Sequence, residues 1–165
     1  MFLPTAEDTD RLGAALACAL DQNRSAIVRS GFNIRLEGNL GAGKTSLTRA
    51  TLRSLGVTGR IKSPTFTLLE TYPLDGGLEV FHFDFYRFES PEEFLDAGFR
   101  DNFAPGHITF VEWSEKAGEC LPEADLIMTL TPEGDGRRVT FVTPTNLGAI
   151  VLSALNKEWT SHAEL

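Results

Sequence analysis

Apolar residues recur at two spacings along this 165-residue chain. Leu12, Leu16 and Leu20 fall at i, i+4 and i+8, on one helical face, and predict an amphipathic helix over residues 9–20. Phe32, Ile34 and Leu36 alternate with polar residues and predict a short strand. Residues 38–43 are turn-rich (Gly38, Asn39, Gly41, Gly43), and a helix follows over Thr45–Leu55 with Gly56 as its stop. Phe66–Tyr72 and Leu78–Phe83 read as two strands around Asp75-Gly76-Gly77, a hairpin. Ser90-Pro91-Glu92-Glu93 is a helix start, with Ser as N-cap, Pro in the first position and Glu closing a capping box. Gly98 ends that helix. Ile108–Val111 is an apolar run suited to a central buried strand. Leu126–Leu130 and Val139–Val142 flank Glu133-Gly134-Asp135-Gly136, a second hairpin. Thr145 caps a last helix running to about Leu155, and the final ten residues are polar and read as a frayed tail. No internal repeat or linker interrupts the pattern.

Length predicts one domain over residues 1–165. The composition, 42% hydrophobic and 23% charged, excludes disorder, collagen and coiled coil. Cys18 and Cys120 are too few for a disulfide framework, and neither they nor the three histidines show metal-ligand spacing. The cysteine usage fits a reducing, cytoplasmic setting. Leu12–Leu20 is nearly apolar, but Glu7, Asp8 and Asp10 precede it where a secretion signal needs basic residues. No stretch approaches the length of a membrane span.

The net charge is −8, yet its distribution is uneven. Residues 29–62 carry seven basic residues and one acid, whereas residues 70–125 carry fourteen acids and three bases. An acidic chain is poorly suited to holding nucleic acid by itself, because phosphate contacts need Lys and Arg. The basic window suits a smaller polyanion, a partner's face or plain solvation; around Arg49, Arg53, Arg60 and Lys62 it is a candidate docking surface.

Gly38-Asn39-Leu40-Gly41-Ala42-Gly43-Lys44-Thr45 matches G-x-x-x-x-G-K-[ST] in full, between a predicted strand and a predicted helix. Glycines at 38, 41 and 43 let successive backbone N–H groups, including that of Ala42, turn towards a phosphate. The following helix presents its positive end to the same anion. Lys44 is placed for the β- and γ-phosphates and the Thr45 hydroxyl for Mg²⁺. Ser46 is either an α-phosphate contact or a plain helix residue. The motif predicts an α/β fold of P-loop NTPase type: a three-layer sandwich with a mostly parallel central sheet, helices on both faces and antiparallel hairpin additions.

Such a site needs a carboxylate at a strand end. Glu112 follows Ile108–Val111, and Asp84 ends the strand before it. A GTPase would need D-x-x-G and N-K-x-D; Asp84 is followed by Phe85-Tyr86-Arg87, and Asn156-Lys157-Glu158-Trp159 lacks the Asp. A small-molecule kinase would usually carry an arginine-bearing lid, and residues 85–107 hold only Arg87 and Arg100. An ATPase is favoured. The kinase and an ATP-responsive scaffold that does not hydrolyse remain the alternatives.

The P-loop, Ser63-Pro64-Thr65-Phe66, His82-Phe83-Asp84-Phe85-Tyr86-Arg87 and Glu112-Trp113 occur in this order, and together they resemble the bacterial TsaE (YjeE) family. The resemblance covers roughly residues 5–145, with Asn39 where the family usually has Asp and Phe85 where it usually has Leu. It implies an ATPase that is weak in isolation and serves the threonylcarbamoyladenosine modification of tRNA with TsaD and TsaB. The same resemblance implies Thr45 and Glu112 as Mg²⁺ ligands and Asp84 as the acid near the γ-phosphate and its water, catalytic together with Lys44. Thr65 would lie on a switch-like loop, Trp113 would be a site aromatic, and Arg137 would contact the base side of ATP. Tyr86 and Arg87 are read as structural or partner-facing, and His82 as a hydrogen-bonded core residue that is not a catalytic base.

Overall fold

Strand β2 (Phe32–Glu37) realises the predicted alternation: Phe32, Ile34 and Leu36 are buried while their neighbours are partly exposed. A computed structural model describes residues 1–163 and places β2 inside a seven-stranded sheet. The other strands are β1 (Phe2–Leu3), β3 (Leu69–Pro73), β4 (Glu79–Asp84), β5 (His107–Glu112), β6 (Leu126–Glu133) and β7 (Gly136–Val142). The order is β1-β7-β6-β2-β5-β4-β3. The central strands β6, β2, β5 and β4 are parallel neighbours. Strand β3 pairs antiparallel at one edge, and β7 with β1 at the other. The fold is thus the expected α/β arrangement, a parallel centre extended by hairpins.

Register decides which side chains share a face. Ile34 lies beside Phe110 and Leu126, and Leu36 beside Met128. These residues form one core with Leu12, Leu16 and Leu20 of α1 (Ala6–Gln22), Leu47 and Leu52 of α3 (Lys44–Ser54), and Val151 and Leu155 of α5 (Asn146–Ala163). Helix α2 (Arg24–Ser30) adds Ile27. Burying each such side chain contributes roughly 1.5–3 kcal/mol. Gly13 brings α1 tight against α3, since a Cβ there would stand 2.5 Å from the Ala50 Cβ. That approach fixes the helix that follows the phosphate loop.

The opposite face of β4 and β5 carries Phe81, Phe83 and Val111, which pack with Phe85, Phe88 and Phe94. The cover on this side is short: the single turn α4 (Glu92–Asp96) and 3₁₀ turns at 99–102, 114–116 and 118–120. At the α4 start the Glu93 carboxylate accepts the Ser90 N–H (3.0 Å), one half of the expected capping box; the Ser90 hydroxyl does not complete it.

Three expectations are corrected. Strand β3 begins at Leu69, because residues 64–68 form a turn closed by Leu68 N–H to Pro64 O (2.8 Å). Phe66 is 79% exposed with the Arg87 guanidinium 4.2 Å from its ring centre, so its apolar character marks no strand. The last helix runs on to Ala163, because Trp159 packs against the core beneath Arg11 and Glu158 accepts from Gln22 (2.7 Å). The expected fraying of residues 156–163 does not occur; the rest of that tail lies outside the described residues. Edge strand β1, too short for any periodicity, went unforeseen. Thr145 caps α5 as expected, accepting Gly148 N–H at 3.0 Å. No helix among the described residues is long and apolar enough to cross a membrane.

Candidate functional site

Strand β2 hands over to helix α3 through Gly38–Gly43, and the turn is tight enough to demand glycine. Gly43 has φ +106°, a left-handed backbone that strains any residue with a Cβ, and a Cβ there would also displace the tip of the Arg137 side chain. Arg137, from the start of β7, donates Nη1–H to the Ala42 carbonyl at 3.2 Å. The first N–H groups of α3 have no intrahelical acceptor, and Lys44, Thr45 and Ser46 of that first turn line the cavity. Gly43→Ala is therefore expected to lose nucleotide binding and to lower the melting temperature, both from strain and from displacing Arg137; calorimetric titration and a thermal scan read the two effects.

Lys44 folds back over this loop. Its Nζ donates to Gly38 O (2.5 Å) and lies 3.8 Å from the centre of the Trp113 ring. Burial pulls its pKa below the ordinary lysine value, and Glu112, Glu115 and Asp84 pull it back up. Trp113 holds a left-handed backbone (φ +58°) directly after β5, a conformation that costs a non-glycine residue about 1–3 kcal/mol. Tyr86 packs on the same indole, with ring centres 5.0 Å apart.

The two expected carboxylates are register partners at the ends of adjacent parallel strands, Asp84 on β4 and Glu112 on β5. The Thr45 hydroxyl donates to the Glu112 carboxylate and lies 3.1 Å from both of its oxygens. The other contact of Glu112 is the buried His82, with Nε2 at 2.6 Å from Oε2. Asp84 accepts Tyr86 N–H (2.9 Å) on one oxygen and the Thr65 hydroxyl (3.4 Å) on the other. Ser63 in turn bonds Thr65 at 2.8 Å. Burial raises the Asp84 pKa, helped by the nearby Glu112 charge, while the Tyr86 N–H, His82 and Thr65 oppose the rise.

One cavity of about 260 Å³ gathers these groups. Gly41, Ala42, Gly43, Lys44, Thr45 and Ser46 form its loop side, and Thr65, Asp84, Glu112, Trp113 and Arg137 close it. Gly38 stands apart and contributes only its carbonyl to Lys44. Sequence reasoning missed Leu40, 83% exposed at the loop tip; it read His82 as a hydrogen-bonded core residue but did not identify Glu112 as the partner. The oxygen donors of Thr45, Glu112 and Asp84 suit a hard divalent cation. Among the described residues no three His, Cys, Asp or Glu side chains cluster to hold an ion alone. That donor set fits Mg²⁺, which takes one or two carboxylates and completes its shell with phosphate and water.

Comparison with known proteins follows the same lines. Residues 3–140 match the family model described as "Threonylcarbamoyl adenosine biosynthesis protein TsaE". The chain is 44% identical over 123 residues to the tRNA threonylcarbamoyladenosine biosynthesis protein TsaE of Haemophilus influenzae, spanning 74% of this chain and 77% of that one. It is 34% identical over 140 residues to the protein of the same name from Bacillus subtilis, spanning 84% and 87%. The crystal structure of Bacillus subtilis YdiB superposes with a TM-score of 0.68 at 30% identity, covering 93% of this chain and 90% of that one.

Proposed function

This chain belongs to the TsaE family of threonylcarbamoyl adenosine biosynthesis proteins, and from that membership we propose that it binds ATP with Mg²⁺ and hydrolyses it slowly. The family's process is the threonylcarbamoyladenosine modification of tRNA, and the chain serves that process. The nucleotide would occupy the 260 Å³ cavity, with TsaD and TsaB as the proteins that use its turnover.

The observation that carries this reading is the meeting of two hydrogen-bonded pairs at the phosphate loop: Thr45 with Glu112, and Thr65 with Asp84. The loop's N–H groups and Lys44 would hold the phosphates. Thr45 and Glu112 would hold Mg²⁺, which supplies charge neutralisation at the β- and γ-phosphates when bound. Asp84 would orient water, and the Thr65 hydroxyl links the 64–68 turn to it. Arg137, at the Ala42 side of the loop, would meet the nucleotide away from the γ-phosphate.

Binding tests the reading. Lys44→Ala removes the point charge, and ATP affinity should fall tenfold or more, since a charge-assisted contact contributes about 1.5–3 kcal/mol. The melting transition should stay cooperative, because the apolar core does not include Lys44. A variant that binds ATP as tightly as the parent protein would remove the cavity's assignment. Chromatography of the products then separates hydrolysis from kinase action: ADP and inorganic phosphate are expected, with no phosphorylated acceptor.

A further inference from the structure

His82 lies two residues before Asp84 on β4, beside Phe110 of β5, so it stands diagonally behind Glu112 on the same face of the sheet. It is 1% exposed and does not line the cavity. Resting on the reading above, we infer that His82 is the positioning residue of the metal-side carboxylate, fixing Glu112 so that it and Thr45 face a Mg²⁺–nucleotide together.

The chemistry of the contact fixes its direction. A carboxylate only accepts, so the 2.6 Å bond has Nε2–H as donor and Oε2 as acceptor. Nδ1 is buried without a partner, which a lone pair tolerates far better than an N–H. With Nε2–H as the donor, His82 holds one oxygen of Glu112 from the sheet side while the Thr45 hydroxyl reaches the same carboxylate from the loop side. Glu112 is itself only 2% exposed, so water cannot take over this bond. Its second support, Thr45, rides on α3 at the ligand. His82 is set in the sheet, independent of the ligand. Hydrogen bonds behind metal ligands orient them and commonly carry a tenfold to hundredfold share of metal affinity.

Two substitutions separate positioning from core filling. His82→Phe keeps an aromatic volume in an apolar setting and removes the donor. His82→Gln keeps an N–H of similar reach and packs less well. A core filler would be replaced better by Phe; a positioning residue would be replaced better by Gln. The measurement is binding of a non-hydrolysable ATP analogue across a Mg²⁺ titration, with an EDTA baseline and a thermal melt of each protein.

His82→Phe should raise the Mg²⁺ needed for half-saturation by about 10–100-fold, with the EDTA baseline unchanged. His82→Gln should recover most of that loss despite a lower melting temperature. If the Phe variant does not fold, His82→Leu takes its place. Mg²⁺ dependence in the parent protein that survives unchanged in the Phe or Leu variant overturns this inference alone. Nucleotide binding that ignores Mg²⁺ in the parent protein overturns it together with the proposed metal site.

Discussion

Asp84→Asn is expected to keep nucleotide affinity and lose turnover by about 10²–10⁴-fold, the range over which a positioned acid or base contributes. The acid is held from two directions, by Tyr86 N–H on one oxygen and Thr65 on the other. Asparagine retains the shape and one acceptor but cannot take a proton from water. Burial has already raised the Asp84 pKa, which makes its carboxylate a better proton acceptor than a free one. Stability should move the other way. A carboxyl whose folded-state pKa lies above its unfolded value contributes stability below the unfolded pKa and loses it as pH rises through the folded pKa. At neutral pH the ionised side chain is therefore a cost, and Asp84→Asn should melt no lower than the parent protein. Glu112→Gln should behave differently, weakening Mg²⁺-dependent binding before it touches the rate. Steady-state hydrolysis and analogue binding on both variants check the division. If Glu112→Gln spared binding and Asp84→Asn lost it, the two roles would be exchanged.

The division between Asp84 and Glu112 also shows what kind of information a sequence displays. The loop motif is legible because it is contiguous: Gly41, Ala42, Gly43, Lys44, Thr45 and Ser46 line one side of the cavity, so neighbours in sequence are neighbours at the candidate site. The strand-end acids are legible at one remove, since a parallel sheet aligns the ends of β4 and β5. The bond from His82 to Glu112 is not legible. It depends on diagonal register between two strands 30 residues apart, and a histidine inside an apolar run reads the same whether it fills space or holds a carboxylate. Residues 66–68 mislead for the opposite reason. Phe66 is apolar by composition, yet it lies outside the sheet with Arg87 over its ring, and the left-handed Leu68 (φ +67°) turns the chain into β3. Tail residues 156–163 look too polar to hold a helix, but α1 supplies the partners for Glu158 and Trp159 across the tertiary fold.

Adding TsaD and TsaB together should raise ATP turnover from near background by a large factor, while tRNA alone should not. Of the described residues that line the cavity, Arg137 is the arginine, and its Nη1 is engaged with Ala42 O on the loop. Arg87 packs over Phe66. Neither is aimed at the place where charge would build on a γ-phosphate beside Asp84 and Thr65. P-loop sites without that charge are slow, and an arginine brought to them raises turnover by about 10³–10⁵. A bound protein partner is the natural source of such a group. Bare tRNA brings only more negative charge to a chain whose net charge is already −8. Several cations of the chain's basic window are already turned elsewhere: Arg53 donates to the Val57 carbonyl, Arg35 to the Pro122 carbonyl, and Arg49 shares a groove with Asp10. The measurement is steady-state phosphate release by the protein alone, with tRNA, and with TsaD and TsaB. Little release is expected in the first two and clear stimulation in the third. Full activity in isolation, or stimulation by tRNA without protein, would overturn the partner-dependent reading and place the missing charge within this chain or on the RNA.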